Sequence, residues 1–154
     1  MYYLKVVTGD PLEFFHSVAV FGEQRATGFV LLPRVFYRYI FKILPAINYQ
    51  YFPVVFTTGL EFITAIVFTL LSILAFFRIR LSYAVYLVTG FIIPTFAGSF
   101  SSLPRYILVL FPAFILGSQL LLKVSKATKI LFFGLLFITL VIATALFVRG
   151  YWVA

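Results

Sequence analysis

The chain has 154 residues, 64% of them hydrophobic and 10% charged, with a mean hydropathy of +1.14. A soluble domain carries roughly 45–50% apolar and about 25% charged residues, so an ordinary soluble globule is excluded. Twelve Lys and Arg against four Asp and Glu give a formal net charge of +8, but the bases lie between apolar runs rather than in a patch that could follow a phosphate backbone. That pattern argues against nucleic-acid binding.

The opening Met1-Tyr-Tyr-Leu-Lys-Val-Val has no long apolar core and no small-residue cleavage site. It does not read as a signal peptide, so internal segments are expected to direct the chain to the membrane. There is no cysteine, and hence no disulfide framework, thiolate metal site or thiol nucleophile to read. Asp10-Pro11-Leu12-Glu13 has an N-cap residue, a proline at the first helical position and a glutamate at the third, the pattern of a capping box. His16 lies one turn beyond Glu13. One histidine with two acids at this spacing matches no specific metal motif, and helix capping is the stronger reading.

Residues 1–52 are read as a first region, a polar loop followed by an amphipathic helix over 28–47. That helix is apolar except for Arg34, Arg38 and Lys42. These cations recur every fourth residue and form one stripe on a helix, where they are candidate contacts for lipid phosphates. Two placements compete. An interfacial helix lies in the headgroup layer with the stripe toward phosphate, and the energetics favour it. A spanning helix puts cations in the core at about 2.5–3.5 kcal/mol each, although it fits the charge asymmetry of the loops better.

Residues 53–154 are read as a transmembrane region of about four helices, over 53–77, 81–97, 106–122 and 130–148, each near the roughly 17–25 residues that cross a bilayer. The connections are short and polar, which gives an antiparallel array. The first and third carry Arg78, Arg80, Lys123, Lys126 and Lys129, whereas the opposite side has Arg105 and Arg149. Short basic loops stay cytoplasmic, so the loop over 98–105 is expected on the extracytoplasmic side. Gly90, Pro94 and Pro112 fall inside spans, where they kink or loosen packed helices. Tyr51, Tyr83, Tyr106, Tyr151 and Trp152 suit an interfacial aromatic belt. The fold class is therefore all-α, a multi-pass integral membrane protein with an N-terminal amphipathic helix.

Glu61 is the only acid in the apolar region, and an ionisable group within a membrane segment is costly. If its helix starts near Leu60, Glu61 sits at the interface. If the helix starts at Pro53, it is buried and needs Arg105 or another cation as partner. In Gly98-Ser-Phe-Ser-Ser-Leu-Pro-Arg-Tyr106, Ser101 or Ser102 is expected to cap a helix that Pro104 starts, which would leave free N–H groups at its positive end. Arg105 adds a permanent cation whose planar fork suits phosphate oxygens. The segment is thus either an anion site or a capped helix whose arginine snorkels to the interface.

Tyr83-Ala-Val-Tyr86, Pro94, Ser101-Ser-Leu-Pro-Arg-Tyr106 and Phe111-Pro-Ala-Phe114 resemble the C-terminal half of the PIG-V type mannosyltransferases and their bacterial relatives. Thr8-Gly-Asp-Pro-Leu-Glu-Phe14, Phe21-Gly-Glu-Gln-Arg25 and Pro33 resemble that family's middle region. The resemblance implies a membrane GT-C glycosyltransferase that moves a sugar, typically mannose, from a polyprenyl-phosphate donor onto an acceptor at the extracytoplasmic face. It also implies a catalytic acid in an upstream loop with no counterpart here, and so a C-terminal portion of a longer enzyme with no catalytic residue in this chain.

Arg105, Tyr106 and Ser102 are the expected contacts to the donor-lipid phosphate. Glu61 is a candidate intramembrane acid, and no metal ligand set is assigned. The alternative from another class is a non-catalytic membrane subunit that binds or scaffolds lipid-linked intermediates beside a partner subunit. A transporter fragment is disfavoured, because the spans hold one acid and no inverted repeat.

Overall fold

The computed structural model of the chain describes Gly9 and residues 30–153; the capping box, His16 and the motif at Phe21 to Arg25 lie outside these residues. All regular structure among the described residues is helical. The first helix among the described residues, α1 (Leu32–Arg38), has Pro33 in its opening turn, where a missing N–H leaves no bond unmade. It passes through a wide π-helical turn (Tyr39–Ile43) into the short α2 (Leu44–Ala46). In that turn the Leu44 N–H reaches the Tyr39 carbonyl, one residue further back than in an α-helix. Pro45 accounts for the widening. In a regular helix its ring would press on the Phe41 carbonyl four residues back.

Helix α3 (Phe52–Arg78) has 27 residues, about 40 Å of rise. Its buried positions, Glu61, Ala65, Phe68, Ser72 and Ala75, recur at alternating steps of four and three and so form one seam. The small side chains among them let a neighbour approach closely. Helix α4 (Leu81–Thr95) turns back along this seam after Ile79-Arg80, with Ala84, Leu87, Phe91 and Thr95 inward. Helices α5 (Leu103–Ile107) and α6 (Phe111–Leu122) then pack on both α3 and α4. At the contact with α4, Gly90 faces the Leu110 side chain so closely that a Cβ there would collide with it.

Three of the expected spans differ from the structure: the fourth begins at Lys126 rather than residue 130, because the Ser125 side chain caps it by accepting from the Thr128 N–H. The third, expected as one helix over 106–122, is broken between Ile107 and Phe111. Pro112 is the cause, because it cannot donate to Leu108 and its ring clashes with that carbonyl. The second stops at Thr95 rather than residue 97, where Gly98 turns the chain at φ 78°. With 15 and 12 residues, α4 and α6 rise about 22 and 18 Å, less than a hydrocarbon core of about 30 Å. Among the described residues two helices, α3 and α7 (Lys126–Val148), are long and apolar enough to cross a membrane.

The burial pattern matches that composition. Only Leu146 of α7 is buried, while Leu131, Phe133, Leu135, Phe137, Ile138 and Leu140 all face outward. The first helix is part of the same core as the bundle, since Val35 and Tyr39 cluster with Ala65, Leu87, Phe91, Phe100 and Leu103. Arg78 and Lys123 line one cavity at one end of the bundle. At the other end, the Tyr51 and Tyr151 rings lie 6.1 Å apart and Arg105 meets Trp152. The first and third connections therefore share an end, as an antiparallel array requires.

Candidate functional site

Glu61 organises the loop that follows α4. Because α3 begins at Phe52, Glu61 lies about 14 Å along the helix and is buried. Among the described residues, neither Arg105 nor any other cation is its partner. One carboxylate oxygen, Oε1, accepts the backbone N–H of Ser102 at 3.1 Å, and Oε2 accepts the Tyr39 hydroxyl at 3.2 Å. The Tyr39 oxygen accepts in turn from the Phe100 N–H at 3.0 Å. Two side chains from two helices thus satisfy two backbone donors of one buried loop, which would otherwise cost desolvation free energy. Phe100 sits within a ring cluster, 4.7 Å from Tyr39 and 4.9 Å from Phe36 between centroids.

This arrangement corrects the expected serine cap. Ser102 does occupy the position before α5, but it adopts a left-handed conformation (φ 62°) and its side chain makes no cap bond. Its N–H is held by Glu61, and the Leu103 N–H donates to the Phe100 carbonyl at 3.0 Å. The start of α5 therefore already faces a carboxylate of the protein itself and is not an open anion site. Of the three expected phosphate contacts, Ser102 is buried, whereas Arg105 and Tyr106 are exposed on the outer side of α5.

Arg105 is framed by aromatic rings. Its guanidinium carbon lies 5.9 Å from the Tyr106 ring centre and 5.6 Å from that of Trp152, within the range of cation–π attraction. Trp152 is brought there by the end of α7. Gly150, at φ 81°, donates to the Phe147 carbonyl at 2.9 Å, and the Tyr151 N–H donates to Leu146 at 3.1 Å. This pair of bonds is a Schellman closure, which glycine permits because it has no Cβ. The closure folds Tyr151 and Trp152 over a cavity of about 350 Å³ lined by Arg105, Phe147, Gly150, Tyr151, Trp152 and Val153. Sequence reading treated Trp152 as a belt residue and missed this role. The glycine after a long apolar helix, followed by two aromatics, was the available signal.

The basic stripe is split. Arg34 and Lys42 are exposed and Arg38 is half-buried, with its Nη1 donating to the Gly98 carbonyl at 3.4 Å. Arg38 and Lys42 line a common cavity, and Arg34 does not. Among the described residues no group of three or more His, Asp or Glu side chains gathers as metal ligands. Comparison with known protein families, with curated proteins and with solved structures finds no match to this chain.

Proposed function

We propose that this chain is a multi-pass membrane protein that binds a polyprenyl-phosphate-linked sugar, as the C-terminal portion of a GT-C glycosyltransferase like the PIG-V type mannosyltransferases it resembles. The Arg105 cavity carries this reading. It combines a permanent cation, an indole ring whose centre lies 5.6 Å from the guanidinium carbon, and apolar walls at one end of the bundle. A phosphate on a hydrocarbon tail needs all three.

The membrane part of the proposal rests on the outward apolar faces of α3 and α7, which lipid would solvate. Helix α4, and α5 taken together with α6, complete four crossings in this reading. At the break between α5 and α6, Leu110 is buried while Leu108 and Val109 face outward, and the Tyr86 hydroxyl donates to the Val109 carbonyl at 3.4 Å, a side-chain bond of the kind that satisfies freed backbone groups. Arg78, Arg80, Lys123, Lys126 and Lys129 mark the cytoplasmic end, and Arg105 faces the extracytoplasmic side.

In sugar transfer, the acceptor hydroxyl oxygen bonds to the sugar's anomeric carbon and gives its proton to the acid expected in the upstream loop, while the carbon–oxygen bond to the donor phosphate breaks and its electron pair stays on the phosphate. A cation held at that oxygen stabilises the developing charge without reorganising. Arg105 has this role in the proposal, with Tyr106 beside it. Glu61 holds the loop through both oxygens and is not assigned acid or base work. That engagement favours, as a second reading, a subunit that binds lipid-linked intermediates without catalysing transfer.

The test uses membranes containing this chain as part of the full-length enzyme proposed, a radiolabelled polyprenyl-phosphate mannose with its acceptor, and the variant Arg105→Ala. Transfer that falls about 10²-fold or more in the variant supports the enzyme. Donor binding that is Arg105-dependent but gives no transfer supports the binding subunit. Absence of donor binding overturns both.

A further inference from the structure

We propose that a second cavity, between the first helix and the start of α3, holds the phosphate headgroup of an anionic phospholipid. The cavity measures about 380 Å³ and is lined by Arg38, Lys42, Asn48, Thr58 and the apolar Ile43, Ala46, Ile47 and Val54. Its volume is in the range of small-ligand sites. Among the described residues the lining contains two cations, an amide and a hydroxyl, and no acid. Glu61, one turn beyond Thr58, is turned away into its bonds with Tyr39 and Ser102.

Each polar group has a defined part. The Asn48 side-chain oxygen accepts the Gln50 N–H at 3.1 Å, so the NH₂ end is the one left to donate to a ligand. Arg38 is fixed through Gly98, which orients its guanidinium at the cavity wall. Lys42 is exposed and supplies a mobile ammonium, suited to a phosphate as a point charge. The wide turn over Tyr39–Ile43 sets the position of Lys42 relative to Arg38. Such turns recur at functional sites.

The apolar residues decide the class of ligand. Free phosphate would gain nothing from Ile43, Ala46, Ile47 and Val54, whereas a phospholipid can place its glycerol and first methylenes along them. Tyr49 and Tyr51 on the connection between α2 and α3 are exposed, as residues of a headgroup layer are. The cavity shares no lining residue with the Arg105 cavity, although the Tyr51–Tyr151 ring contact places both at one end of the bundle. The inference rests on the membrane reading but not on sugar transfer.

The test is native mass spectrometry of the intact chain released from detergent, with phosphatidylglycerol, phosphatidylcholine or inorganic phosphate added. Retention of phosphatidylglycerol over phosphatidylcholine is expected. Lys42→Gln should lower it about fivefold, the effect of one cation near a lipid surface, and Lys42→Gln with Asn48→Leu should lower it further. Arg105→Ala should leave it unchanged while removing polyprenyl-phosphate binding, so failure here and failure of the donor site are separable. Equal retention of both phospholipids, equal retention by the Lys42 variants, or competition by millimolar inorganic phosphate would each overturn the proposal. Circular dichroism of the double variant, expected to equal the parent, separates lost binding from lost fold.

Discussion

The Glu61 carboxylate takes the Ser102 backbone N–H at 3.1 Å across 41 residues of sequence. That bond ties the middle of the longest helix to the start of the Ser-Leu-Pro-Arg-Tyr segment. Because Tyr39 completes the same network from the first helix, the position of Arg105 depends on residues that do not touch its cavity.

Removing the acceptor leaves buried donors unpaired. Glu61→Ala orphans the Ser102 N–H and the Tyr39 hydroxyl and should destabilise the chain by about 2–5 kcal/mol. Tyr39→Phe orphans the Phe100 N–H and should cost about 1–3 kcal/mol. The two losses should combine to less than their sum, because both act on one network. Thermal unfolding of the four members of this cycle in detergent measures it, and strict additivity would count against a shared network.

Ser102 is the only described residue other than glycine with positive φ. Ser102→Gly should be neutral or stabilising, since glycine adopts this conformation without strain. Ser102→Val should cost about 1–3 kcal/mol, because β-branching disfavours it strongly. The ordering of the two melting temperatures is the readout.

Gly90 admits the Leu110 side chain, which is itself buried. Gly90→Ala forces Leu110 from its place and should destabilise by about 1–3 kcal/mol despite the higher helix propensity of alanine. Gly117→Ala has open space in front of it and should be neutral or stabilising. A result in which both behave alike would show that α4 and Leu110 are not in close contact.

The chain has no cysteine, so single cysteines can be labelled without background. In intact cells, Arg149→Cys should react with a membrane-impermeant maleimide added outside, and Lys126→Cys should react only after the membrane is opened. Reversed accessibility would invert the orientation, and equal accessibility would show that α7 does not cross.

Much of the fold was legible in the sequence. The run over 53–77 became Phe52–Arg78 almost unchanged, because continuous apolar sequence with Pro53 at its start and Arg78-Ile-Arg80 at its end admits little else. The break between Ile107 and Phe111 was legible only in Pro112, and hydropathy alone hides it. The pairing of Glu61 with Tyr39 and Ser102 could not be read, since it joins residues 22 and 41 positions apart, the first through a tyrosine hydroxyl and the second through a backbone N–H that has no sequence signature. Arg105 and Tyr106 were singled out by residue type and lie together. Ser102 was singled out by the same pattern, but the left-handed turn at that position sends its N–H inward.

Trp152 is the only tryptophan of the chain, and its ring lies 5.6 Å from the Arg105 guanidinium carbon, so its emission reports directly on that cavity. The most direct test titrates polyprenyl phosphate into the chain in detergent micelles and follows Trp152 fluorescence. The donor-binding reading predicts a saturable change that neutral polyprenol does not produce and that Arg105→Ala abolishes. An unchanged spectrum, or the same response in Arg105→Ala, would contradict it.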